Sequence, residues 1–187
     1  MKDITVCIAT IPPRAKLLRR ALSTVTSQTL QPSAIVVEYD HNHTGAAATK
    51  NRALAKVTTS HTAWLDDDDQ FLPQHLETLA AVDADVVYSI PQVPAYGGQP
   101  DPLGRYGMPF DADELRRRSY IPTTSLFNTG ALRYAGGFQV PDGSIYDDWG
   151  CYLALLNAGA SFVHVPQQTW IWNIEPGLNT SGQGDRW

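Results

Sequence analysis

The chain alternates short apolar runs with segments whose apolar residues recur at helical spacing. I-T-V-C-I-A-T, residues 4–10, is rich in β-branched side chains and stops at Pro12-Pro13, which predicts a buried strand. Between Arg14 and Thr26 the positions Leu17, Leu18, Ala21, Leu22 and Val25 fall on one helix face. I-V-V-E-Y, 35–39, predicts a second strand, and Gly45 opens a segment whose Ala47, Ala48, Ala53 and Leu54 line another helix. T-A-W-L, 62–65, predicts a third strand, with Asp66, Asp67, Asp68 and Asp69 at its carboxyl end. Pro73 suits the first turn of a helix through Leu76, Leu79 and Ala80, and D-V-V-Y-S, 85–89, predicts a fourth strand. Strand and helix in alternation imply an α/β domain with a central, mainly parallel sheet flanked by helices. Ligands of such sheets gather beyond the carboxyl ends of the strands. The four aspartates lie there, as do Thr10, Glu38 and Asp40.

The pattern changes between Pro91 and Phe110, where five prolines and four glycines stand among few apolar residues. A long loop is expected, of the kind that is functional or mobile. Beyond it, Asp111–Arg118 predicts an amphipathic helix, Gly136-Gly137-Phe138 a turn, and 148–158 a helix closed by Gly159. F-V-H-V, 162–165, and W-I-W, 170–172, are expected to be two short strands.

A length of 187 residues fits one domain, 1–187. A net charge of -5 argues against general binding to a nucleic-acid backbone, which needs a basic face. The two cysteines, Cys7 and Cys151, sit in apolar runs and are expected to be small core residues in a reducing compartment. No stretch approaches the ~18 apolar residues of a membrane span. The expectation is a soluble cytoplasmic protein without a signal peptide.

Four consecutive carboxylates have two readings. One is a solvated acidic turn ahead of a helix, where negative charge suits the dipole. The other is a cation site. Unit charges ~4 Å apart repel by ~1 kcal/mol in water and by ~4 at an effective dielectric of 20. An enclosed cluster therefore needs raised pKa values or a bound cation, and oxygen ligands select Mg²⁺, Mn²⁺ or Ca²⁺. An EF-hand loop counted from Asp66 would need Gly where Phe71 stands. A D-x-D-x-T loop would need Thr at Gln70, and neither a P-loop nor a dinucleotide-binding glycine motif is present. Without a phosphate-cradling glycine loop, such a cluster could instead hold a diphosphate through a metal, the cation neutralising both, beside the solvated-turn reading.

Seven motifs in order resemble the family 2 glycosyltransferases, nucleotide-sugar enzymes of the Rossmann-like GT-A fold. They are V-C-I-A-T-I-P-P-R (6–14), S-Q-T-L (27–30), I-V-V-E-Y-D (35–40), G-A-A-A-T-K-N-R (45–52), L-D-D-D-D-Q-F-L-P (65–73), G-G-F with Y-D-D-W (136–149), and V-P with W-I-W and N-T-S-G (165–182). The resemblance covers nearly the whole chain. It implies an inverting, metal-dependent transfer of a sugar from a nucleoside diphosphate to a hydroxyl, with residues 1–90 as a nucleotide-binding half and 91–187 as an acceptor-binding half.

Carried over by position, Thr10, Glu38 and Asp40 would lie near the base, with either acid open to the role because Tyr39 separates them. Arg14 and Lys50 would serve the nucleotide sugar, Lys50 offering charge to the diphosphate. Asp66 and Asp67 would face the ribose or sugar, and Asp68, with Asp66, would hold Mn²⁺ or Mg²⁺ in a DXD-like motif. Asp148 matches the catalytic base, with Asp147 as the fallback; Asp148 also suits a helix N-cap. Asn173 and Glu175 are the candidates for a third metal ligand, and Asn179, Thr180 and Ser181 for phosphate contacts. Trp149, Thr123 and Thr124 are candidates for the acceptor or sugar. The acceptor stays open: a glycan, lipid-linked sugar, protein, modified nucleic acid or small molecule. Two other functions compete, a catalytically silent module that binds nucleotide sugar or glycan, and a sugar-1-phosphate nucleotidyltransferase, whose glycine-rich first loop is replaced by I-P-P-R.

Overall fold

The computed structural model describes residues 2–99, 106–141, 144 and 146–174. β1 (Ile4–Thr10) is buried along its whole length and is the spine of the sheet. β2 (Ala34–Tyr39) and β3 (His61–Trp64) flank it in parallel, reached through α1 (Ala15–Thr26) and α2 (Ala46–Ala55). There follow β4 (Gln70–Phe71), α3 (His75–Ala80), β5 (Val86–Gln92), α4 (Ala112–Arg117), β6 (Ser125–Asn128), α5 (Thr129–Tyr134), α6 (Asp147–Asn157) and β7 (Phe162–Ile171). The sheet order is β2-β1-β3-β6-β5-β7-β4. β6 runs against β3 and β5, and β4 against β7, while β5 and β7 are parallel. The other five strands share one direction, so the α/β architecture with a mainly parallel sheet is as expected.

Several boundaries differ from those the pattern predicts. Pro12–Arg14 is a 3₁₀ turn and α1 begins at Ala15. Pro73 lies outside α3, whose N-cap is Gln74; its carbonyl accepts the Thr29 N–H at 2.8 Å instead. β5 runs on through Pro91 to Gln92, so the loop starts later than Pro91. The two short strands expected at 162–165 and 170–172 are one strand, β7, which absorbs Pro166 through register shifts against Ser89–Pro91. β4, β6 and α5 were not anticipated, being too short for a periodic signal.

Alternation along β1 splits the core in two. Ile4, Val6 and Ile8 pack with Leu18, Val25, Leu76 and Leu79 of α1 and α3, whereas Cys7 packs with Ala53, Leu54, Leu115, Tyr152 and Leu155 of α2, α4 and α6. Both cysteines are buried and free, as the sequence suggests. Among the described residues no helix is long and apolar enough to cross a membrane.

Gln28, Asn51 and Gly137 from the sequence motifs, with Gly150 just beyond them, join these layers. Buried Gln28 donates to the carbonyls of Leu72 (2.8 Å) and Thr24 (3.1 Å) and accepts the Leu76 N–H, tying α1 to the start of α3. Asn51 pairs its amide with the backbone of Phe138 in both directions, at 2.8 and 2.9 Å. Gly137, at φ 73°, fits there because a Cβ would meet the Asn51 amide oxygen at 2.4 Å. At Gly150, in the second turn of α6, a Cβ would lie 1.9 Å from the Gln139 carbonyl oxygen. The Gly136-Gly137-Phe138 turn thereby anchors to α2 on one side and lets the start of α6 approach on the other. Gly150→Ala is expected to destabilise the fold by about 3 kcal/mol, because the clash is with backbone that cannot step aside; urea unfolding measures it.

Candidate active site

The acidic turn is pinned from three directions. Leu65 N–H bonds to the Cys7 carbonyl at 3.1 Å, extending the β1–β3 pairing to the edge of the turn, and Asp69 N–H closes it on the Asp66 carbonyl at 3.1 Å. Arg20 of α1 and Asn173, just past β7, each donate to the Asp68 carbonyl at 2.7 Å. The Asn173 N–H also reaches the Asp69 carboxylate at 2.9 Å. Asn173, a candidate metal ligand by resemblance, thus has its amide nitrogen on the turn's own backbone. Glu175, Asn179, Thr180 and Ser181 lie outside the described residues.

The carboxylates sit unequally within this frame. Asp67 is buried, accepting the Thr10 hydroxyl at 2.5 Å and facing Arg14 at 3.1 Å. Asp68 takes the same guanidinium at 2.5 Å. Burial pushes Asp67 up to about 7 against the pull of Arg14 and Thr10. Asp69 is driven well above the usual carboxylate range by burial and by Asp68 and Asp66. Burial also raises Asp66, with Lys50 and Arg14 opposing and Asp68 and Asp147 adding to it.

α6 brings the second acidic pair to the same place. Asp147, in its first turn, holds buried Lys50 of α2 at 2.9 Å. Asp148 accepts the N–H of Trp149 at 2.7 Å and the Thr123 hydroxyl at a long 3.4 Å. The N-cap is Tyr146, so Asp148 is not the cap the sequence allowed for. Burial lifts Asp148 to about 7; Lys50 opposes this, and Asp147 and Asp66 reinforce it. Lys50 stays firmly charged, for the attraction of Asp147, Asp66 and Asp148 exceeds the burial penalty.

The acids after β2 are differently engaged. Asp40, fully buried, accepts the N–H groups of Thr44 (2.9 Å) and Gly45 (2.8 Å) and the Thr44 hydroxyl (2.9 Å). Burial opposes its ionisation, but these bonds and Arg52 hold it down at about 2. Glu38 pairs with Arg52 at 3.0 Å and with Lys56. Asp40 therefore shapes the turn into α2, and Glu38 is the acid of the two with a side chain not wholly enclosed. Trp149 donates its indole N–H to the Leu115 carbonyl at 2.7 Å, tying α6 to α4, and Thr124 is buried beside Thr123.

Comparison with known proteins gives the arrangement a family. The model of the family described as Glycosyl transferase family 2 matches residues 16–139, more than half of the chain. The chain belongs to glycosyl transferase family 2. No curated protein sequence matches it. Among solved structures it is similar to S. aureus TarS 1-349 in complex with UDP-GlcNAc, with a TM-score of 0.74 and 14% identity, over 96% of this chain and 61% of that one. It is also similar to the mannosyltransferase PcManGT from Pyrobaculum calidifontis in complex with GDP-Man and Mn²⁺, with a TM-score of 0.63 and 15% identity, over 95% and 60%. The fold is thus GT-A, and the chain spans about three-fifths of the length of these structures.

For a family 2 domain the charge balance of the site is informative. Six carboxylates, Asp66–Asp69, Asp147 and Asp148, meet three cations, Arg14, Arg20 and Lys50. Burial first, and the neighbouring carboxylates after it, raise the pKa of four of the six, Asp66, Asp67, Asp69 and Asp148. Among the described residues no three His, Cys, Asp or Glu side chains converge into a ready-made metal cage. Mg²⁺ sites typically use one or two carboxylates and complete themselves with phosphate oxygens and water. A hard-oxygen donor set with excess negative charge fits that use.

Tyr106 had no assigned role in the sequence. It packs edge-on against Trp172 at 4.9 Å, near Trp170, and burial together with Asp148, Asp66 and Asp69 drives its phenol well above the usual range. An aromatic within a Pro/Gly-rich stretch was the available signal.

Asp148 sits near 7 in the fold against about 3.9 in an unfolded chain. Between those values the folded carboxyl keeps its proton and the unfolded one has lost it, so stability falls as pH rises through that window. Asp148→Asn, isosteric with the protonated acid, is expected to match wild type near about pH 4 and to melt higher at about pH 8. Thermal unfolding across the range, without divalent cation, checks this.

Proposed function

We propose that this domain transfers a sugar, with inversion, from a nucleoside diphosphate sugar to an acceptor hydroxyl, assisted by Mn²⁺ or Mg²⁺. The observation that carries the reading is the meeting of two acidic groups from distant parts of the chain, the turn after β3 and the first turn of α6, around one buried lysine. Family membership supports it, as do the structural neighbours, TarS in complex with UDP or UDP-GlcNAc and PcManGT in complex with GDP-Man and Mn²⁺.

In this proposal residues 1–90 take the nucleotide and 91–187 the acceptor. Glu38, with Asp40 shaping its loop and Thr10 at the end of β1, lies on the base side. Asp66 and Asp67 face the ribose or sugar. Asp68, with Asp66, holds the cation against the diphosphate; when bound, the cation stabilises negative charge developing on the leaving group. Arg14 adds a cation on the same side. Asp148 receives the acceptor proton, and a pKa near neutrality suits a general base. Lys50 holds Asp147 and keeps the adjacent Asp148 from a still higher pKa. Thr123, Thr124 and Trp149 line the acceptor side. The cytoplasm, where nucleotide sugars are at hand, is the proposed location.

Thermal-shift measurements with UDP-, GDP- and dTDP-sugars, with and without Mn²⁺, identify the donor, since binding raises stability with the logarithm of ligand over Kd. With that donor and an acceptor screen, Asp148→Asn is expected to lose about 10²–10⁴-fold in turnover while keeping the donor's thermal shift. No metal-dependent shift with any nucleotide sugar would remove the proposal. A wild-type protein that binds a donor but never turns over would make it a binding module instead.

A further inference from the structure

Arg14 is delivered to the acidic turn by a stiff support. Pro12 and Pro13 set the 3₁₀ turn after β1, and the Arg14 N–H closes it on the Ile11 carbonyl at 3.0 Å. From there one guanidinium nitrogen reaches Asp68 at 2.5 Å and Asp67 at 3.1 Å. Only 12% of the side chain is exposed, and its buried Nε finds no acceptor among the described residues. The other cations are placed elsewhere, Arg20 on the Asp68 carbonyl and Lys50 on Asp147. Arg14 therefore neutralises the very carboxylate to which the proposed function assigns the metal.

A guanidinium and a divalent ion on one carboxylate repel each other strongly at low dielectric. Arginine is also suited to bidentate pairing with phosphate oxygens, and Arg14 has a donor to spare. We propose that Arg14 is a resident counter-ion: it occupies the cation position at Asp67 and Asp68 until metal and diphosphate arrive together, and then moves onto the diphosphate. Metal alone is thereby refused, and the metal–diphosphate complex is the species the site accepts. This inference rests on the proposed role of Asp68.

The test follows Mn²⁺ uptake by loss of the free-ion EPR signal, for Mn²⁺ alone and with UDP or GDP, alongside melting temperatures in metal-free buffer. Arg14→Gln is expected to bind Mn²⁺ alone about tenfold or more tightly than wild type. It is also expected to bind Mn²⁺ with diphosphate about tenfold more weakly, having lost a charged hydrogen bond. Arg19→Gln, which removes the same charge from the exposed face of α1, should change neither. Should Arg14→Gln fail to fold, Arg14→Lys must show both shifts at smaller size, because it keeps the charge but lacks the planar fork that pairs bidentately with phosphate. Unchanged or weaker binding of Mn²⁺ alone, in a protein that still takes up Mn²⁺ with UDP or GDP, overturns the counter-ion and leaves the proposed function standing. No Mn²⁺ uptake with either diphosphate, in wild type and Asp68→Asn alike, overturns both.

Discussion

The molecule is organised around a surplus of enclosed negative charge. Six carboxylates are enclosed in the region where β1 and β3 end and α6 begins, and three cationic side chains come toward them. Burying a carboxylate without a partner is costly, and a cluster of them more so. The pairs that form are accordingly tight: Arg14 with Asp67 and Asp68, Lys50 with Asp147, Thr10 with Asp67. Even so, burial lifts Asp67 and Asp148 toward neutrality against the pull of these partners. A fold that retains such a site stores an affinity for positive charge.

That charge is held in place by joints that are themselves uncharged. Gln28 couples α1 to α3 and Asn51 couples α2 to the turn before α6. Gly137 and Gly150 allow the approaches that a Cβ would block. None of these residues touches the acids, yet Asn51 and Gly150 fix the distance between Lys50 on α2 and Asp147 on α6. A side-chain amide that pairs with backbone in both directions serves here as a short length of ladder between non-adjacent elements. The polar residues among the sequence motifs thus divide into those at the charge and those at the joints.

Much of this was legible beforehand because it is local. The β-branched apolar run of β1, the helical spacing of α1 and the aspartates at the end of β3 depend on near neighbours only, and the mainly parallel sheet follows from the alternation of strand and helix. β4, of two residues, and α5, of six, were below what periodicity reveals, and Pro166 disguised β7 as two strands. The acids after β2 looked interchangeable in sequence. Their difference, Asp40 spent on Thr44 and Gly45, Glu38 on Arg52 and Lys56, is one of burial and partners.

The sequence by itself determined the elements, the strand end where chemistry gathers and the residue types available to it, because periodicity, proline positions and charge are written along the chain. Only the tertiary structure decided which charges meet. Lys50 comes to Asp147, and Arg14 to Asp68, through the packing of α2 against α6 and the turn that follows β1. Such pairings span long separations in the chain, where spacing carries no signal, and their strength depends on how completely water is excluded around them.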